Sequence, residues 1–107
     1  MRALIITVAV FLAACGGETP DSTAESWKAT LQLTGEKWLA NSVPAHFVHS
    51  TCASAQKALA KAAKKVGERD PIRRRLEALT AAASKLERAV AAGDRRMAAE
   101  VVEELRR

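Results

Sequence analysis

From Val48 onward, apolar side chains recur at alternating steps of four and three residues: Val48, Cys52, Ala55, Leu59, Ala62 and Val66. That is the period of one helix face, and its strictness makes a heptad-like seam. A second seam repeats the rhythm at Ile72, Leu76, Leu79, Ala83, Leu86 and Val90. Between them Asp70-Pro71 joins a capping residue to a proline at the first helical position, a compact restart signal. Upstream, Ser22-x-x-Glu25 has the form of a capping box opening a first helix. Trp27, Leu31, Thr34 and Trp38 follow on one face, with Gly35 as a weak point. Pro44 biases its predecessor away from the helical region, so this helix is expected to end near Asn41-Ser42. Pro44 itself suits the first turn of the second helix, which is expected to run to about Arg69. Gly93 closes the third helix as a C-cap, and Asp94 opens a shorter fourth bearing Met97, Val101, Val102 and Leu105. No strand pattern appears.

Short connections between such helices favour an up-down arrangement. The expectation is an all-α fold, a small helical bundle of three long helices and a shorter fourth. Its chief rival is a long two-helix hairpin that dimerises through the second and third helices, so a homo-oligomer is the alternative assembly. Large aliphatic side chains are few and alanines abundant, which implies a thin core with closely packed helices.

The first fourteen residues follow another pattern. Arg2 precedes a run from Ala3 to Ala14 that is apolar except for Thr7. A spanning helix needs roughly 20 residues, so this run is too short to cross a bilayer and fits the h-region of a secretory signal. The run closes on Leu12-Ala13-Ala14-Cys15, followed by Gly16-Gly17. These residues resemble the lipobox of bacterial lipoproteins. The resemblance implies that residues 1–14 are removed and that Cys15 becomes a lipidated N-terminus. It also implies anchoring to a membrane of the cell envelope, the outer membrane facing the periplasm in a Gram-negative cell, since Gly16 is not the aspartate associated with inner-membrane retention. Two acyl chains anchor stably where one is marginal, at about 0.8 kcal/mol per buried methylene. Residues 15–22 then form a tether, breaker-rich from Gly16 to Asp21, and 23–107 the bundle domain.

Removal of residues 1–14 leaves 93 residues, sixteen basic and twelve acidic, for a formal charge of +4. Of the two cysteines only Cys52 would remain a free thiol, which excludes an internal disulfide. The absence of tyrosine, with only two phenylalanines, argues against a stacking surface for nucleic acid.

His46, His49 and Cys52 recur every third residue, a donor set known from copper and zinc sites. At 100° per residue they lie about 160°, 100° and 40° from Val48, too widely spread to converge on one ion. Cys52 therefore reads as core, His49 as its border and His46 as solvated. Trp27 and Trp38 fall about 20° apart on one face and read as core packing, with the membrane interface as the alternative. Leu86 to Arg107, with its Ala91-Ala92-Gly93-Asp94 corner, is similar in bundle architecture to the last helices of cytochromes of the c-prime type. That family's haem-binding Cys-x-x-Cys-His has no counterpart here, so no cofactor is implied.

Charge placement is more telling. Between Lys57 and Arg75 stand eight basic residues against Glu68 and Asp70. Arg73, Arg74 and Arg75 lie near a helix N-terminus, where the dipole disfavours cations. If successive helices alternate in direction, the corner from Arg69 to Arg75 lies at the same end as Cys15, with Arg106 and Arg107 approaching it. Lys64, Lys65, Arg69, Arg73, Arg74 and Arg75 are then candidates for contact with anionic headgroups. The sequence thus predicts a non-catalytic, lipid-anchored envelope protein, with no catalytic residues, whose bundle contacts an envelope protein or surface. The alternative is a small metal- or ligand-binding bundle using His46, His49 or Cys52.

Overall fold

Thr19, not Ser22, opens the first helix. In the computed structural model, which describes residues 19–107, the Thr19 hydroxyl accepts a hydrogen bond from the Ser22 backbone N–H at 3.1 Å. Pro20 occupies the first turn, where its missing N–H costs nothing. Four helices follow: α1 (Pro20–Leu39), α2 (Ala45–Lys64), α3 (Pro71–Ala91) and α4 (Arg95–Arg106). No strand occurs among the described residues. The fold is a small all-α bundle. The helical part begins three residues before the expected boundary at 23, because the Ser22–Glu25 pattern is not used as a capping box. Residues 1–14 and Cys15 lie outside the described residues.

The helix ends have distinct physical causes. α1 stops because Asn41 adopts a left-handed conformation, φ 61°. The Asn41 N–H then donates to the Trp38 carbonyl (2.9 Å) and the Ser42 N–H to that of Lys37 (2.8 Å), the pairing of a Schellman motif. α3 ends in the same way at Gly93, φ 67°, with Asp94 N–H donating to Ala89 at 2.8 Å. α2 stops at Lys64, five residues short of the expected Arg69. Pro44 is its N-cap rather than a member of its first turn. Asp70 caps α3 as expected, its carboxylate accepting from Ile72 N–H at 3.0 Å.

Both seams are buried. Val48, Cys52, Ala55 and Leu59 of α2 meet Leu76, Leu79, Ala83, Leu86 and Val90 of α3 within one core. Ala63 is also buried, while Ala62, Val66 and Ile72 sit half-covered at the margin. α1 adds Ala24 and Leu31 to this core, and α4 adds Ala98, Val101 and Leu105.

Direction along the bundle is fixed by cross-contacts. Glu25 pairs with Arg75, and Gly35 lies against Leu86, so α1 and α3 run parallel with α2 antiparallel between them in sequence. α4 lies otherwise. Its first residue, Arg95, donates to the Leu39 carbonyl and stacks over the Trp38 ring at 5.3 Å. Its last, Arg106, pairs with Glu36 at 2.6 Å. Twelve residues of α4, about 18 Å long, thus meet a stretch of α1 only about 6 Å long, at 1.5 Å per residue. α4 crosses α1 at Gly35, where Val102 lies against the glycine. It stays at the far end of the bundle, so Arg106 does not approach the Arg69–Arg75 corner.

Candidate functional site

Three helix termini meet at one end of the molecule: the start of α1, the end of α2 and the start of α3. Pro20 and Asp21 line one hollow with Asp70, Pro71 and Arg75, which places the beginning of the described chain directly beside the α2–α3 corner. This is the end that the sequence marks as basic.

The structure divides its cations into two groups. Arg73 and Arg75 are structural. Arg73 donates to the Val66 carbonyl just past the end of α2 (3.3 Å) and pairs with Glu77 at 3.4 Å. Arg75 pairs with Glu25 of α1 and holds its carboxyl below the usual range, chiefly through a hydrogen bond. With Asp70 as N-cap, these contacts compensate the unfavourable placement of arginines at an N-terminus. Lys64, Lys65, Arg69 and Arg74 are exposed, and none forms an ion pair among the described residues.

A hollow of about 700 Å³ opens at the corner. Arg69, Arg73 and Arg74 line it, but so do Glu68, Asp70 and Glu77, so it is nearly neutral. The unbalanced positive charge lies beside it, on α2. Lys57, Lys61 and Lys65 recur every fourth residue along one exposed stripe, and none has an acidic partner among the described residues. Like charges four apart on a helix repel slightly, while the dipole at the end of α2 favours Lys61 and Lys65. The spacing was visible in the sequence; that no carboxylate from α1 or α3 answers it was not.

The second candidate cluster comes apart. Cys52 is fully buried, and burial, with a smaller effect of Glu87, pushes its thiol up to about 12. His46 is exposed. His49 turns to α3, where its Nδ1 lies 3.1 Å from Glu87 Oε2 while Gln56 donates to the other carboxylate oxygen at 3.0 Å. Glu87 thereby ties two turns of α2 to α3, a role that its own sequence neighbourhood does not signal. Among the described residues no three His, Cys, Asp or Glu side chains are grouped to hold a metal ion. No described helix is long and apolar enough to cross a membrane. Both tryptophans are half-buried against the core rather than enclosed by it.

No protein-family model, curated protein or solved structure matches the chain.

Proposed function

We propose that this protein is a lipid-anchored component of a bacterial cell envelope, non-catalytic, whose helical bundle stands with its basic end on an anionic membrane surface. In this reading Cys15 carries the acyl chains, and the bundle is presented to envelope partners. The observation that carries it is the gathering of Lys64, Lys65, Arg69 and Arg74, all exposed and unpaired among the described residues, at the end where α1 begins. Only a few residues separate Cys15 from Thr19, so an anchor at Cys15 keeps that end within reach of headgroups at about 3.3–3.6 Å per extended residue.

Each Lys or Arg near an anionic surface contributes about 1 kcal/mol, and salt weakens the attraction. Four such residues are enough to bias orientation once a lipid supplies the attachment. The test is sedimentation of a non-acylated form with vesicles. Binding to vesicles rich in phosphatidylglycerol, lost on raising salt and reduced by K64Q/K65Q/R69Q/R74Q, is the expected result. Absence of binding, or binding indifferent to salt, contradicts the proposal.

A further inference from the structure

The α1–α2 interface leaves a groove of about 280 Å³ at the basic end. Ala58 and Ala62 of α2 line it together with Trp27 of α1. The Trp27 side chain packs partly on the core and also lines the groove. Lys61 and Lys65 line it as well, and Thr19 and Thr23 add hydroxyl-bearing side chains from the start of α1. The groove thus combines two ammonium groups, hydroxyl groups and an aromatic side chain, in a volume just below the usual range for ligand pockets.

These features match one ligand chemistry. A phosphodiester accepts from ammonium and hydroxyl donors, and a Trp side chain settles at headgroup level, with one part apolar and one wet. Lys61 and Lys65, four apart and without carboxylate partners among the described residues, form an unneutralised pair that an anion between them relieves. The nearby 700 Å³ corner hollow is a poorer anion site because its three arginines face three carboxylates.

We infer that the groove between Trp27 and the Lys61–Lys65 pair receives the phosphate headgroup of a single anionic phospholipid. The inference rests on the membrane-facing reading above and gives it a defined seat, so that the bundle docks in one rotational setting about its long axis.

Trp27 itself reports the event once the second indole is removed by Trp38→Phe. The non-acylated chain with that change is mixed with phosphatidylcholine vesicles, with phosphatidylcholine vesicles containing phosphatidylglycerol, and with the former plus inorganic phosphate. Occupancy of the groove shifts Trp27 emission to shorter wavelength and lowers its quenching by acrylamide, with the phosphatidylglycerol vesicles alone. K61Q/K65Q removes this response and weakens vesicle affinity by roughly 30-fold, from the contribution of two lysines at an anionic surface. R69Q/R74Q weakens attachment but leaves the Trp27 response of the bound molecules intact. All four substituted side chains are exposed or at the surface, and unchanged helical circular dichroism verifies the fold. Salt-sensitive binding to the anionic vesicles with Trp27 unaltered overturns the groove while sparing the basic-end reading. The same Trp27 shift with inorganic phosphate alone makes a free phosphate group, not a lipid, the ligand and overturns the inference. Indifference to vesicle charge in both binding and emission defeats both.

Discussion

Cys52 sits where two seams meet, and its chemistry follows from that address. A thiol with no solvent exposure cannot ionise without cost, and the Glu87 carboxylate adds to the penalty. The unfolded thiol titrates near 9.0 and the folded one at about 12. The folded pKa is raised, so the stability linked to this group is complete below about pH 9 and drains away as pH climbs toward 12. A urea-unfolding series across that window should show the alkaline loss, and Cys52→Ala should flatten it. At neutral pH the thiol should react with maleimide only as fast as the core opens, whereas prompt labelling at Cys52 itself, located by peptide mapping, contradicts its burial. The core role of Cys52 was legible from the seam alone. That His49 would leave the cysteine for Glu87 was not, because that pairing depends on the register of α3 against α2, which no local pattern encodes.

Among the elements, α2 and α3 were the most legible, since helical periodicity is written in consecutive residues. Their ends were less so. α1 stops through a left-handed Asn41 as much as through Pro44, and α2 stops five residues early, followed by a turn in which Asp70 N–H donates to the Gly67 carbonyl at 3.0 Å. α4 was legible as a helix but not in its placement, which is decided at Gly35. A Cβ at Gly35 stands 2.5 Å from Val102 Cγ2, inside any permissible contact, and valine has a stiff side chain that cannot swing away. Glycine, a weak point by propensity, is therefore what lets α4 lie down on α1. Gly35→Ala sets a gain of about 1 kcal/mol in helix propensity against an overpacking cost of about 1–3 kcal/mol. We expect net destabilisation of about 1 kcal/mol in chemical unfolding, relieved when Val102→Ala is added. A more stable G35A variant contradicts the crossing. The same crossing explains why Arg106 binds Glu36, whose carboxyl it holds below the usual range, and not the Arg69–Arg75 corner.

For the molecule as a whole, polarity of charge is the organising fact. α1 and α3 begin, and α2 ends, at a pole where cations outnumber their partners, while α4 stays at the other pole. The sequence indicated the basic run but not its division. Arg73 and Arg75 are spent on Val66, Glu77 and Glu25, which leaves the outward charge to Lys64, Lys65, Arg69, Arg74 and the α2 lysine stripe. Contacts across α1, α2 and α3 make that division, and they arise only in the folded chain.

In the proposed reading, this asymmetry takes its meaning from a lipid attachment at Cys15. The most direct measurement is intact-mass and fragment mass spectrometry of the protein purified from a bacterial membrane. The account predicts a polypeptide beginning at Cys15 with diacylglycerol on its sulfur. A mature chain with a bare Cys15 thiol, or one still carrying residues 1–14, contradicts it.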